Sequence, residues 1–317
     1  MFTKRNPVHE TTREGPGPKG IVTDCDEPRK TMTINGKTDT DSMAARVERG
    51  ERKMATNRKM SSIRKIALVT GVLYLITIIA SIPAQFVLYG PVLNNPDYIV
   101  SSGADTQVLW GGFFEVVTAL ACIGTAVVLF PVVKRQNEAA ALGFVTARVF
   151  EAALIVVGIV SLLTVVTLRQ DLAGAAGAHA ASLLTTGNAL VAIHDWTFLL
   201  GPGVMPGVNA LLLGYLMYRS GLVPRVIPVM GLIGGPLILA AGTATLLGLN
   251  EQVSVWSVIA TAPIFAWELS LGIWLIVKGF NPAAVASLST RPDDGVWTGV
   301  EQPAAVVPSN GHIASKV

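Results

Sequence analysis

Between residues 66 and 277 the chain carries six runs of predominantly apolar residues, at about 66–88, 108–131, 140–168, 189–217, 226–249 and 254–277. Each is longer than the roughly 20 residues a helix needs to cross about 30 Å of hydrocarbon. Helices buried in a soluble core rarely run that far without a polar face. Composition agrees: 51% of the 317 residues are hydrophobic and 14% are charged, against about 25% charged in soluble domains. The expected fold is all-α, a polytopic membrane bundle of six transmembrane helices with the lipid bilayer as its partner.

Charge placement sets the expected orientation. Arg58, Lys59, Arg64, Lys65, Lys134, Arg135, Arg219, Arg225 and Lys278 flank one side of the spans, and Arg169 alone flanks the other. Basic residues accumulate on the cytoplasmic side. An even number of spans then puts both termini in the cytoplasm, and the expected location is a bacterial cytoplasmic membrane. The net charge of +3 is no nucleic-acid signal, because the basic residues sit at span ends rather than on one face.

Residues 1–62 are polar and lack apolar periodicity, as does 281–317 with its prolines. Neither segment offers enough apolar surface to offset its ordering entropy. Both are expected to be disordered cytoplasmic tails around a transmembrane domain at 63–280. Met43, Met54 and Met60 are alternative translation starts. Cys25 lies in the first tail and Cys122 in a span, so no structural disulfide is expected. His194 is the one histidine of four inside a span, which argues against a multi-histidine metal centre or a bis-histidine haem. No metal and no cofactor is expected.

The segment Gly214–Gly235, GYLMYRSGLVPRVIPVMGLIGG, resembles a bacterial family of multi-pass membrane proteins, the domain of unknown function 4386 family. There a fourth span ends in a similar Gly-Tyr-Leu-x-Tyr-Arg-Ser-Gly turn followed by Pro-Arg. GVLYLITIIASIPAQF (Gly71 to Phe86) is similar to the family's first span, and WELSLGIWLIVKG (Trp267 to Gly279) to its last. The resemblance covers roughly residues 60–280. It implies an integral membrane protein and no particular activity. The family's fourth span is expected to be smoother than this one, where Gly201-Pro202-Gly203 and Pro206-Gly207 intervene.

A charged side chain near the bilayer centre costs roughly 2.5–3.5 kcal/mol on insertion scales. Such groups therefore face partners or water. Here they are Glu115, Arg148, Glu151, Asp195 and Glu268, with His194 beside Asp195. They fall on spans two, three, four and six, which are expected to line a polar interior; spans one and five are expected to be peripheral. At about 1.5 Å of rise per residue, Arg148 and Glu268 lie about 12 and 13 Å from the cytoplasmic boundary. They form the expected structural ion pair. Glu151, three residues after Arg148, shares its face and is a second acceptor. Glu115 and Asp195 lie about 10 and 9 Å from the opposite boundary and, with His194, form a second expected group. Glu115, Glu151, His194 and Asp195 are thus the candidate binding residues.

The fourth span, about 29 residues, would be roughly 43 Å long as a helix, so it must tilt, bend or break. Gly201, Pro202, Gly203, Pro206 and Gly207 mark the expected helix break, read either as a proline kink or as the opened backbone of a binding site. No HExxH, GxSxG or P-loop motif is present, and no catalytic residue is assigned. Three functional readings follow. One is a membrane protein of unassigned role with structural ion pairs. The second is a small proton- or cation-coupled transporter. The third, a lipid-active membrane enzyme using His194 and Asp195, is the weakest, because adjacent helical residues point about 100° apart.

Overall fold

A computed structural model describes residues 36–101, 103–171 and 178–290. It divides into two units, Met1–Lys53 and Met54–Val317. In the first, the described residues are helical from Gly36 onward. The tail expected over 1–62 therefore differs: residues 1–35 lie outside the described residues, and 36–62 belong to the first helix. That stretch is rich in Ala, Met, Glu, Arg and Lys, which favour helix without any apolar face.

The second unit holds all the long apolar helices. In chain order the helices are α1 (Gly36–Pro83), the single turn α2 (Gly90–Leu93), α3 (Asp105–Val133), α4 (Glu138–Asp171), α5 (Ala178–Phe198), α6 (Met205–Ser220), α7 (Val226–Leu246), α8 (Val255–Val277) and α9 (Pro282–Thr290). Six stretches are long and apolar enough to cross a membrane: Ser62–Leu88, Asp105–Val133, Glu138–Asp171, Ala180–Ser220, Val226–Leu246 and Val255–Val277. No strand occurs among the described residues. The chain is an integral membrane protein built as a helical bundle.

Two spans continue through π-helical turns. Ala84–Leu88 follows α1, and Leu199–Val204 joins α5 to α6. Proline explains the second. Its ring clashes with the carbonyl four residues back and it supplies no N–H; widening the turn relieves the clash. Pro83 precedes the first π-turn and Pro202 lies inside the second. Pro206 sits in the first turn of α6, where a missing donor costs little. The fourth span thus stays helical from Ala180 to Ser220 and is not opened at Gly201–Gly207.

Backbone contact explains the glycines. A Cβ on Gly71 would lie 2.6 Å from the carbonyl oxygen of Gly272, so spans one and six touch backbone to backbone there. Gly207 and Gly235 bring spans four and five together in the same way: a Cβ on either would meet the other's carbonyl oxygen at 2.9 or 3.0 Å. Close approach of this kind replaces the hydrophobic drive that lipid removes. Gly207, expected at a helix break, is a packing glycine.

The ends of the bundle are tied by arginines. Arg64 donates from Nη1 to Leu275 O (2.8 Å) and from Nη2 to Ile276 O (2.5 Å), satisfying carbonyls that the last span leaves open. At the other end Arg169 Nε donates to Asp105 Oδ1 (2.7 Å), and its Nη1 and Nη2 donate to Ser101 O and Gly103 O. Tyr98 Oη donates to the same Asp105 Oδ1 at 2.7 Å. Burial, and after it this bond to Asp105, raises the Tyr98 phenol above its ordinary pKa.

Residues 282–290, expected in a disordered tail, form α9 instead. Ala284, Val285 and Leu288 are buried in the main apolar core, and Asn281 N donates to Leu222 O at 2.9 Å. The spacing i, i+1, i+4 is a short amphipathic stripe, too brief to register among prolines. Residues 291–317 lie outside the described residues.

Candidate functional site

Arg148 projects from the middle of α4, 2% exposed, into the interior of the bundle. Its Nη2 is 2.8 Å from Glu268 Oε1 on α8, and its Nη1 is 3.1 Å from Glu151 Oε2, one turn along its own helix. Asn209 Nδ2 of α6 donates to that same Glu151 oxygen at 2.7 Å. The rings of Tyr74 and Phe144 lie 5.2 and 5.9 Å from the guanidinium carbon, within cation–π range. Cys122 Sγ is 3.6 Å from Nη1. The guanidinium fork is thus shared between two carboxylates, with its Nε left without a partner.

Glu115 is placed differently. On α3, it is 5% exposed, and among the described residues it forms no hydrogen bond or ion pair. It lines a cavity of about 180 Å³ together with Arg148, Glu151 and Glu268. Gln85 of the first π-turn and Pro202 of the second line it too, so both widened turns open onto one space. π-turns recur at functional sites because they re-aim side chains. The cavity wall therefore carries three carboxyl groups and one guanidinium.

The group expected from Glu115, His194 and Asp195 separates in the structure. The His194 ring is 1% exposed. It meets Tyr89 edge-on at 5.6 Å and stacks on Phe198 at 6.1 Å. The Asp195 side chain is 54% exposed, with Oδ1 3.3 Å from His194 Nδ1. Neither residue lines the cavity. Tyr89 stands between these groups: burial, and after it the charge of Glu115, raises its phenol pKa, and its hydroxyl has no partner. The depth match assumes a fourth span that begins near 189, whereas the span begins at Ala180, and a rise count does not see azimuth.

Spans one and five also reach the site, against expectation. Tyr74, Thr77 and Gln85 of span one and Ile238 of span five face the guanidinium or the cavity. Charge alone located only part of the lining, because aromatic faces and amides serve a buried ion as well as carboxylates do. Asn209 and Gln85, each a lone amide in an apolar run, carry a sequence signal. Gly201 lies against α4, where its Cβ would meet Leu154 Cβ at 2.9 Å, and Gly203 borders an adjoining apolar space.

Carboxyl groups outnumber guanidinium groups on the cavity wall. Cys122 is buried beside Arg148, His194 is walled by aromatic rings, and no His, Cys, Asp and Glu side chains converge as a metal-ligating group among the described residues. In sequence comparison, the pattern of the family described as "Domain of unknown function (DUF4386)" matches residues 69–279. No curated protein and no solved structure matches the chain.

Proposed function

The chain belongs to the DUF4386 family, whose description names no activity, and from its own geometry we propose a small transporter coupled to protons or cations, with its site at Glu115, Glu151 and Glu268. The observation that carries this reading is Glu115, a buried carboxyl without a partner on a cavity wall. Arg148 already serves two carboxylates, so a third is surplus. A lone carboxylate in such surroundings costs several kcal/mol, and a bound proton or cation removes that cost. Arg148 itself, shared and enclosed, acts as the structural lock of the site. The π-turns at 84–88 and 199–204 give the two spans a place to flex. His194 and Asp195 lend little to an enzymatic reading, because one is enclosed and the other points outward.

For orientation, the proposal keeps both termini in the cytoplasm of a bacterial cell. The nine-to-one division of basic residues at the span ends supports it. So does Arg169, whose charge is taken up by Asp105. The test is flux in proteoliposomes with an imposed potential and an internal pH dye. Protein-dependent proton movement that Glu115→Gln abolishes is expected. Movement left intact by that change would take Glu115 out of the mechanism.

A further inference from the structure

Resting on the reading of Glu115 as a cation site, we propose that the cavity takes an amphiphilic organic cation. An alkylated ammonium head sits beside Glu115, Glu151 and Glu268, and a hydrocarbon body fills the apolar chamber that adjoins them.

That chamber has a volume of about 460 Å³ and is walled by residues such as Leu199, Ala241, Val253, Val258 and Ala262. Small-molecule sites run from about 300 to 1,000 Å³ and are mostly apolar, with a few polar groups that fix orientation. A proton or a metal ion has no use for such a space. Ile82, Pro202, Ile238 and Thr261 line both the chamber and the charged cavity, so the two spaces share a wall.

The shared wall is also aromatic. Phe86, Phe198 and Phe265 border both parts. Phenyl faces attract alkylated ammonium groups, which shed water easily. A hard inorganic cation asks instead for several oxygen ligands. Among the described residues no His, Cys, Asp and Glu side chains converge as a metal-ligating group. The excess of carboxyls over guanidinium selects a cation over an anion.

Access comes from the side. Phe86 and Val258 are 62% and 63% exposed yet line the chamber, one on span one and the other on span six. Further along, the same two spans close backbone to backbone at Gly71 and Gly272. The seam between them is therefore tight at one end and lined by exposed apolar side chains at the other. An amphiphile dissolved among acyl chains reaches the chamber through that seam without crossing water.

The experiment is direct binding of radiolabelled octyltrimethylammonium to the full chain in nanodiscs of phosphatidylethanolamine and phosphatidylglycerol, with empty discs subtracted. Saturable binding is expected, displaced by the unlabelled cation and not by octyl sulfate, octan-1-ol or K⁺. Glu115→Gln should weaken it by more than about tenfold, as loss of a buried charge partner does. Ala241→Phe, which fills the chamber, should weaken it while leaving all carboxyls in place. Equal displacement by octan-1-ol or octyl sulfate would overturn the charge assignment, and displacement by K⁺ would overturn the organic head. Absence of saturable binding in a preparation that still moves protons would end this inference and spare the transport reading. Binding without any flux would do the reverse.

Discussion

Arg148 and Glu115 are equally buried, and both sit on long helices facing the centre of the same bundle, yet one is saturated and the other is alone. Around Arg148 the helices are in contact: two carboxylates, an amide and two aromatic rings close on it. Glu115 borders the same cavity, beside residues of the two π-turns, with no partner of its own among the described residues. The difference teaches where a membrane bundle invests its polar groups. Charges that neutralise one another allow close packing. Glu115 is the acid that this neutralisation leaves out.

The sharpest way to break the comparison is Arg148→Ala. It leaves Glu151 and Glu268 buried without a counter-ion, a loss of about 3–5 kcal/mol for breaking a buried pair. Thermal unfolding in detergent should show a much lower midpoint, partly restored by adding Glu268→Gln. A single variant as stable as the parent would mean that the network holds nothing together. Next in size is Gly71→Leu, where a side chain would have to displace Gly272 O, 2.6 Å from its Cβ position. Overpacking of this kind costs about 1–3 kcal/mol, and the same melting assay reads it.

Tyr98→Phe is milder. It removes one hydrogen bond to a carboxylate, worth about 1.5–3 kcal/mol at most when fully buried, and Tyr98 shares its acceptor with Arg169. The pH dependence has a definite sign. The phenol is raised in the folded protein, so its contribution is complete below the ordinary tyrosine value of about 10. It declines as pH rises beyond that toward the folded value. Melting curves across the alkaline range should therefore converge for parent and variant. Smallest is Glu115→Gln, for which stability should change by less than about 1 kcal/mol, since no partner is lost and, on the proposed function, a carboxyl holding its proton is replaced by a neutral amide of the same shape. Destabilisation as large as that of Arg148→Ala would show that Glu115 is structural, and would erase the contrast between the two.

Sequence reasoning reached the spans closely, because length and apolarity are one-dimensional properties. It also put Arg148 and Glu268 at one height, and the structure has them 2.8 Å apart. It failed wherever the answer lay in rotation about a helix axis. Depth groups Asp195 with Glu115, yet its side chain is exposed. Tyr74 and Gln85, on a span whose apolar run carries no charge to mark it, sit at the site. The proline and glycine pairs of the fourth span read as a break, whereas a π-turn keeps the helix whole and Gly207 serves a neighbouring backbone. α9 went unseen because three apolar residues among prolines carry almost no periodic signal.

The amino-acid sequence alone settled the solvent, the number of crossings and the presence of more buried acids than bases. Those follow from composition and length, since hydrocarbon thickness and the cost of burying charge are the same for any chain. Only the tertiary structure decided which acids are neutralised and which is left without a partner. That choice depends on azimuth and on how near two backbones come, quantities set by contacts between residues far apart in the chain.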